Sequence, residues 1–244
     1  MDWGSIFHIS FTTDFWLRLS SVIFINIILS GDNAVVIALA VRSLSGKQRF
    51  QGILFGTGLA VVLRIVLTYF CWILLEVSFL KFLGGWLIAW IAVKLFIEGT
   101  GDEGDRKEVH TLGKAIVTIL IADLVMSTDN VLGVAGACKG SDAGLALLIF
   151  GLGSSIPIVV FASDILSRLM DRYPIIVTLG AAILGRVAGD MISSDAFIES
   201  TLHPSALTCY TVQGVFTVGV IVVGKLWMRH KAAKLASGTE ADAD

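Results

Sequence analysis

Charge is scarce in this chain. Only 16% of its 244 residues are Asp, Glu, Lys or Arg, where an ordinary soluble domain carries about 25%. That deficit excludes a solvated surface of normal extent. With 55% hydrophobic residues and a mean hydropathy of +0.84, the chain is built for a bilayer. Cysteine is also rare: Cys71, Cys138 and Cys209 are scattered, with no C-x-x-C pair. They read as small apolar residues of a reduced or indifferent protein, and no thiolate zinc site or disulfide framework is expected. The four histidines, His8, His110, His203 and His230, fall in termini or loops, so none offers an imidazole at membrane depth. Net charge is −2 and no basic stripe interleaves with aromatics, which removes nucleic acid from the partners. No phosphate-cradling loop is present either, because Gly56-Thr57-Gly58 lacks the G-K-[ST] ending. Asp2 and Asp14 precede the first apolar run without a basic segment, so no cleavable signal peptide is expected.

What the chain has in quantity is hydrophobic length. Seven apolar stretches, at 15–42, 51–76, 79–98, 113–138, 143–167, 174–193 and 206–228, are each long enough to cross a bilayer with some tilt. The expected fold is therefore an all-α membrane protein of seven transmembrane helices. The polar segment 99–112 separates a first three-helix repeat (15–98) from a second (113–193). An additional helix at 206–228 follows, and then a polar tail at 229–244. Lysines and arginines set the orientation. With the C-terminus in the cytoplasm, Arg42, Lys47, Arg49, Arg106, Lys107, Lys114, Arg168, Arg172, Lys225 and Arg229 all fall inside. Only Lys81 and Lys139 fall in outer loops, with Arg18 near the outer start of the first span, a bias that positive-inside topology predicts. The N-terminus is expected outside.

A polar signature recurs inside this hydrocarbon. Asn26-Ile-Ile-Leu-Ser30-Gly31-Asp32-Asn33 in span one returns in span four as Asp123-Leu-Val-Met126-Ser127-Thr128-Asp129-Asn130. The register matches Asp32 to Asp129, Asn33 to Asn130, Ser30 to Ser127 and Asn26 to Asp123. Carboxylates and carboxamides at membrane depth are costly, so a chain that carries the set twice is expected to use it. Three spans per half make the second half enter from the opposite side, which predicts inverted repeats whose sites converge at the midplane. The stretch Leu83-Gly84-Gly85 to Lys94 parallels Leu179-Gly180-Ala181 to Asp190, which pairs span three with span six. Span seven lies outside the repeat, and its Gly214, Gly219 and Gly224 suit close helix packing.

At about 100° per residue, Asp123, Ser127 and Asn130 share one helix face with Met126 beside them, and Asn26, Ser30 and Asn33 share another. Asp32 and Asp129 sit one step round, so local unwinding is expected at Ser30-Gly31 and, against the stiffness of Thr128, at Ser127-Thr128. Three carboxylates, three carboxamides and two hydroxyls form an oxygen-rich anionic cage suited to a hard or borderline divalent cation. The Met126 thioether suits manganese or iron better than calcium or magnesium. Each residue also has a plainer reading. Asp32 and Asp129 can make interhelical hydrogen bonds, Met126 can fill a core gap, and Ser30 and Ser127 can bond their own backbone.

Other charges in the spans are Arg64, Lys94, Asp164, Arg186 and Asp190. Lys94 and Asp190 lie near span ends and read as snorkelling or interfacial pairing. Arg64 is deeper, needs a partner, and can stand in for a cation by neutralising one cage carboxylate. Pro157, after Ser154-Ser155, is expected to loosen span five beside the site.

With both Ser-x-Asp-Asn segments in spans one and four, and Ile28-Leu-Ser-Gly-Asp-Asn-Ala34 as the most specific stretch, residues 15–228 closely resemble the TerC family of bacterial membrane proteins, near its YjbE-type members. The resemblance implies manganese efflux, with older links to tellurite resistance and alkaline pH response. It also implies metal binding by intramembrane aspartates, here Asp32, Asn33, Asp129 and Asn130 with Asp123 beside them. The expected function is a secondary transporter of the bacterial inner membrane that exports divalent cations, manganese foremost, by alternating access. Protons are the simplest coupling ion. The metal is cargo and no resident cofactor is expected. The partners are the divalent ion and the lipid bilayer, and a homo-oligomer is compatible with the chain. The alternative is a membrane scaffold or assembly factor in a stress-resistance complex. An intramembrane hydrolase is disfavoured because the duplicated asparagines are ligands rather than acids, so the chain is not expected to be an enzyme.

Overall fold

Backbone groups in hydrocarbon have no water to bond, so apolar runs of this length fold as helices that satisfy their own N–H and C=O groups. The structure is a computed structural model that describes residues 13–69, 79–100, 111–138 and 144–241. All regular structure among the described residues is helical. The helices are α1 (Thr13–Leu29), α2 (Gly31–Val41), α3 (Gly46–Tyr69), α4 (Leu80–Thr100) and α5 (Leu112–Cys138). They continue with α6 (Gly144–Arg172), α7 (Ile175–Ser193), α8 (Ala196–Leu202) and α9 (Ala206–Ala241). Five of them, α3, α4, α6, α7 and α9, are long and apolar enough to cross a membrane, and the α1–α2 pair makes six when taken as one bent span.

The first apolar run does break where its sequence predicts. α1 and α2 are bent by 48° at Ser30, which sits at φ −99°, ψ 0°. The Ser30 N–H closes a tight turn on the Ile27 carbonyl at 3.3 Å, and its own carbonyl starts the α2 ladder by accepting from Ala34 N–H at 3.1 Å. The expected unwinding at Ser127-Thr128 does not occur: α5 stays helical from Leu112 to Cys138. Thr128 lacks the permissiveness of Gly31, and helical hydrogen bonds continue unless something replaces them. α6 likewise runs unbroken through Pro157. α9 remains helical through residues read as a polar tail, where Ala232, Ala233 and Ala236 favour the helix.

Two compact units form from interleaved pieces of chain. One takes residues 1–80 and 110–169, hence α1, α2, α3, α5 and nearly all of α6. Its apolar core joins Phe15 and Val22 of α1, Val61 of α3, and Leu147, Leu148 and Leu152 of α6. α2 is buried from Asn33 to Val41, as expected for a helix apolar on every side. The other unit takes 81–109 and 170–244, hence α4, α7, α8 and α9. Asp195 organises one end of it, accepting from Phe197 N–H at 3.0 Å as the cap of α8 and from Phe82 N–H at 3.1 Å at the start of α4.

Small residues let the helices of the second unit touch backbone to backbone. A Cβ on Gly185 of α7 would lie 2.8 Å from the Phe216 carbonyl oxygen of α9, and one on Gly189 would lie 2.7 Å from Gln213 Cα. A Cβ on Gly85 of α4 would meet the Ala188 carbonyl at 2.6 Å. The contact surface thus belongs to Gly185-x-x-x-Gly189 of α7. Of the α9 glycines expected to pack closely, only Gly224 does so, against the Phe96 ring, while Gly214 and Gly219 have nothing within 4 Å.

Gly189→Val and Gly185→Val should each lower stability by about 1–3 kcal/mol through overpacking against unyielding backbone. Gly214→Val should be nearly neutral. Thermal unfolding of the detergent-purified protein measures the difference, and equal stability of all three variants would show that the α7–α9 contact is not close.

Candidate functional site

Large apolar side chains face outward, and several polar ones are buried beside the apolar core. Trp16, Phe24, Phe55, Trp90, Phe161 and Trp227 are exposed, while Asn26, Ser30, Asn33, Arg64, Asp123, Ser127 and Ser155 are buried. All seven of these buried polar residues lie in the first unit, and most of them converge on one side chain.

That side chain is Arg64, 4% exposed on α3. Its Nε donates to Ser127 Oγ at 3.0 Å, its Nη1 donates to Asn26 Oδ1 at 2.8 Å, and its Nη2 donates to Asp123 Oδ1. Asp123 and Ser127 are one turn apart on α5, and Ser127 Oγ donates back to Asp123 Oδ2 at 3.0 Å. Both Asp123 oxygens are therefore engaged. Asn26, fully buried on α1, donates from Nδ2 to Ser155 Oγ of α6 at 2.6 Å, and Ser155 Oγ donates in turn to the Leu152 carbonyl at 2.6 Å. Ser30 Oγ reaches Asn26 Oδ1 at 3.5 Å. A buried guanidinium and carboxylate repay their desolvation only with good geometry and satisfied lone pairs. This network supplies both, drawing on four helices.

Asp32 and Asn33 open α2 just past the bend. Asp32 is half-buried, its Oδ1 accepts from the Asn33 N–H at 3.0 Å, and it lies within electrostatic range of both Arg64 and Asp123. Asn33 is buried, yet neither its Oδ1 nor its Nδ2 has a hydrogen-bond partner among the described residues. A buried amide left unpaired costs about 1–3 kcal/mol, so its retention calls for a reason.

Of the residues singled out from sequence, the structure brings Asn26, Ser30, Asp123 and Ser127 together and places Asp32 near them. Met126 is buried on α5, where a flexible thioether can fill a core gap. The side chains of Asp129 and Asn130 lie outside the described residues. Among the described residues, no three His, Cys, Asp or Glu side chains cluster as a metal site, so a cation held here must draw on amide and hydroxyl oxygens as well. Ser155 escaped sequence reading as a site member. Its signal was a serine pair ahead of Pro157 in an apolar helix, where a polar side chain must face the bundle. The remaining charges have local roles: Arg168 bonds Asp164 one turn away, Asp190 accepts from Gln213 at 2.7 Å, and Lys94 lies over the Trp90 ring.

Comparison with known proteins agrees with this membrane architecture. The model of the integral membrane protein TerC family matches residues 11–233. The chain is 35% identical over 217 residues to the Bacillus subtilis membrane protein YjbE, covering 89% of this chain and 97% of that protein. It is 26% identical over 216 residues to YceF of the same organism, covering 85% and 81%. It is also 26% identical over 187 residues to the Escherichia coli inner membrane protein YgdQ, covering 69% and 77%. These names give a membrane location and no substrate. No solved structure matches the chain significantly.

Asp123→Ala should strand the Arg64 guanidinium in the interior and destabilise the protein by about 3–5 kcal/mol. Arg64→Met combined with Asp123→Leu removes both charges and should recover most of that loss. Unfolding temperatures in detergent would decide. A single variant as stable as wild type would mean the pair contributes little.

Proposed function

The chain belongs to the TerC family of integral membrane proteins, and from that premise we propose that it is a secondary transporter exporting divalent cations, manganese foremost, from the cytoplasm. The observation that carries this reading is the meeting of Asn26 and Asp123 on a single guanidinium. These residues hold equivalent positions in the duplicated motif, and polar repeats that converge inside a bundle are how repeat-built transporters assemble a substrate site. On this reading α5, about 40 Å long at 1.5 Å per residue, is the remaining span. Seven spans then divide into two inverted three-span repeats, with α9 additional.

Charge supports the valence of the cargo. Asp32 and Asp123 contribute −2 and Arg64 contributes +1, giving −1 among the described groups. Asp129, equivalent to Asp32 in the repeat, brings the total to −2, the charge one divalent ion cancels. Its oxygen donors would be Asp32, Asn33, Asp123, Asp129 and Asn130, with Asn26, Ser30 and Ser127 around them. Carboxylates bind a metal only when deprotonated, so cargo affinity falls as pH drops, and proton exchange for metal is the coupling we favour. A scaffold or assembly role in a stress-resistance complex is the second reading, favoured by a network that ties four helices together.

Asp32→Asn and Asp129→Asn keep side-chain shape but each remove a charge. Each should abolish manganese resistance and raise cellular manganese, measured beside calcium, iron and zinc, at unchanged membrane abundance. In liposomes, wild-type efflux should fall when the pH gradient is collapsed, and indifference to the gradient would remove the proton from the scheme. Full resistance in both variants would favour the scaffold.

The lysine and arginine distribution supports an N-terminus outside, with segment 99–112 and the C-terminus in the cytoplasm of a bacterial inner-membrane protein. Gly101→Cys and Ser237→Cys should resist an impermeant thiol reagent in intact cells and react in opened ones. Labelling of either in intact cells would reverse the orientation.

A further inference from the structure

We propose that Arg64 is a tethered counter-cation: it competes with the cargo for Asp123, Asn26 and Ser127, and offsets one unit of the site's negative charge once the metal has left. The inference rests on the exporter reading above and adds a step to it. The oxygens that hold the guanidinium, Asn26 Oδ1, Ser127 Oγ and Asp123 Oδ1, are of the kind a hard divalent ion requires. Ser127 Oγ and Asp123 are further tied to each other, so the guanidinium holds both ends of that pair. A divalent ion and a guanidinium cannot share these donors at contact distance, because like charges repel strongly where water is excluded. Entry of the metal therefore moves Arg64 off Asp123, and release of the metal lets it return.

The residue type fits this role. An arginine in a protein stays protonated across physiological pH, so its compensation does not depend on the proton gradient. Its planar fork bonds Asn26 and Asp123 simultaneously, one from each copy of the motif, from two nitrogens held at a fixed separation that the single nitrogen of lysine lacks. Asp32 lies within electrostatic range of the guanidinium, so the charge of Arg64 still acts on the emptied site beyond its direct partners. The consequence is kinetic. A carrier whose emptied site holds excess negative charge returns slowly through a low-dielectric core, whereas a metal-loaded carrier is neutral in both directions.

The test uses the full chain, purified and reconstituted in phospholipid liposomes, with manganese as the probe. Three quantities are read: manganese affinity, net efflux, and exchange of labelled for unlabelled manganese. Arg64→Gln keeps hydrogen bonding but removes the competing charge. It should tighten manganese binding by about tenfold and slow net efflux by about tenfold more than it slows exchange. Adding Asp123→Asn restores the site's net charge. The double variant should close most of the gap between net efflux and exchange, although it binds more weakly. Should Arg64→Gln not survive purification, the double variant and Arg64→Lys carry the comparison, and both should keep net efflux in step with exchange. Equal slowing of both fluxes by Arg64→Gln at unchanged affinity would make Arg64 a structural tie and overturn the proposal. A wild-type protein that neither binds nor moves manganese, calcium, iron or zinc overturns the exporter reading itself, a failure told apart because it appears before any substitution.

Discussion

A guanidinium inside an apolar bundle has to be answered by acceptors that cannot be water. That requirement, imposed by Arg64, organises the first unit. Five N–H donors in a rigid fork need partners at fixed angles. The chain supplies three partners from α1 and α5, Asn26, Asp123 and Ser127, and ties Asn26 to α6 through Ser155. Each bond constrains the rotation and axial position of a helix. Apolar packing alone would fix these loosely, because leucine and phenylalanine tolerate sliding while a forked ion pair does not. In a bilayer the constraint weighs more, since lipid tails are as apolar as the helices and burial of hydrocarbon gives little preference for one arrangement. Polar bonds and close small-residue contacts then carry the specificity, and the first unit uses both, with Gly56 against Ile119 and Gly151 against Val22. The first unit centres on the Arg64 network, and the second on Gly185, Gly189 and Gly85 against neighbouring backbone.

The bend at Ser30 follows from the same economy of polar groups. Asn26 is committed to Arg64 and Ser155, and Ser30 turns its hydroxyl back toward Asn26 rather than capping α2. The break aims the start of α2, with Asp32 in its first turn, at the region where Arg64 and Asp123 sit. A carboxylate in a first turn is favoured by the helix dipole, which offsets part of the cost of placing Asp32 away from water. In α5 the corresponding position stays helical, so the two copies of one motif have different backbones. The difference is local and chemical: glycine follows Ser30, and a β-branched threonine follows Ser127.

Much of this was legible in the sequence, and the misses share a cause. Helix positions followed from runs of apolar residues, because membrane thickness sets their length and backbone bonding sets their form. The equivalence of Asn26 with Asp123 and of Ser30 with Ser127 was visible as a repeat, and the structure brings these four residues together. The need of Arg64 for a partner was also visible, from a lone charge in a long apolar run. Its choice of Asp123, Asn26 and Ser127 was not, because which faces of three helices meet is a matter of tertiary packing. Ser155 was hidden for the same reason. The glycines of α9 looked like a packing motif and those of α7 proved to be one, since small residues on a helix offer a contact face and only the neighbouring helix decides which is used.

The duplicated asparagines make a final point about charge. An oxygen cage can be enriched by adding carboxylates or carboxamides, and only the first adds negative charge. On the proposed reading, which adds Asp129 to Asp32, Asp123 and Arg64, the site carries −2. Aspartates in place of Asn33 and Asn130 would take it to −4, a charge no single divalent ion could cancel. Asn33 shows the cost of the neutral choice, since both its polar side-chain atoms are buried without a partner among the described residues. A cation could satisfy its oxygen but never its N–H donors, so ligation accounts for half of that cost and leaves the Nδ2 donors to be explained otherwise. On the exporter reading we propose, the Asp-Asn pair is a compromise: enough oxygens to strip a divalent ion of water, and few enough charges that one arginine and exchangeable protons can neutralise the emptied site.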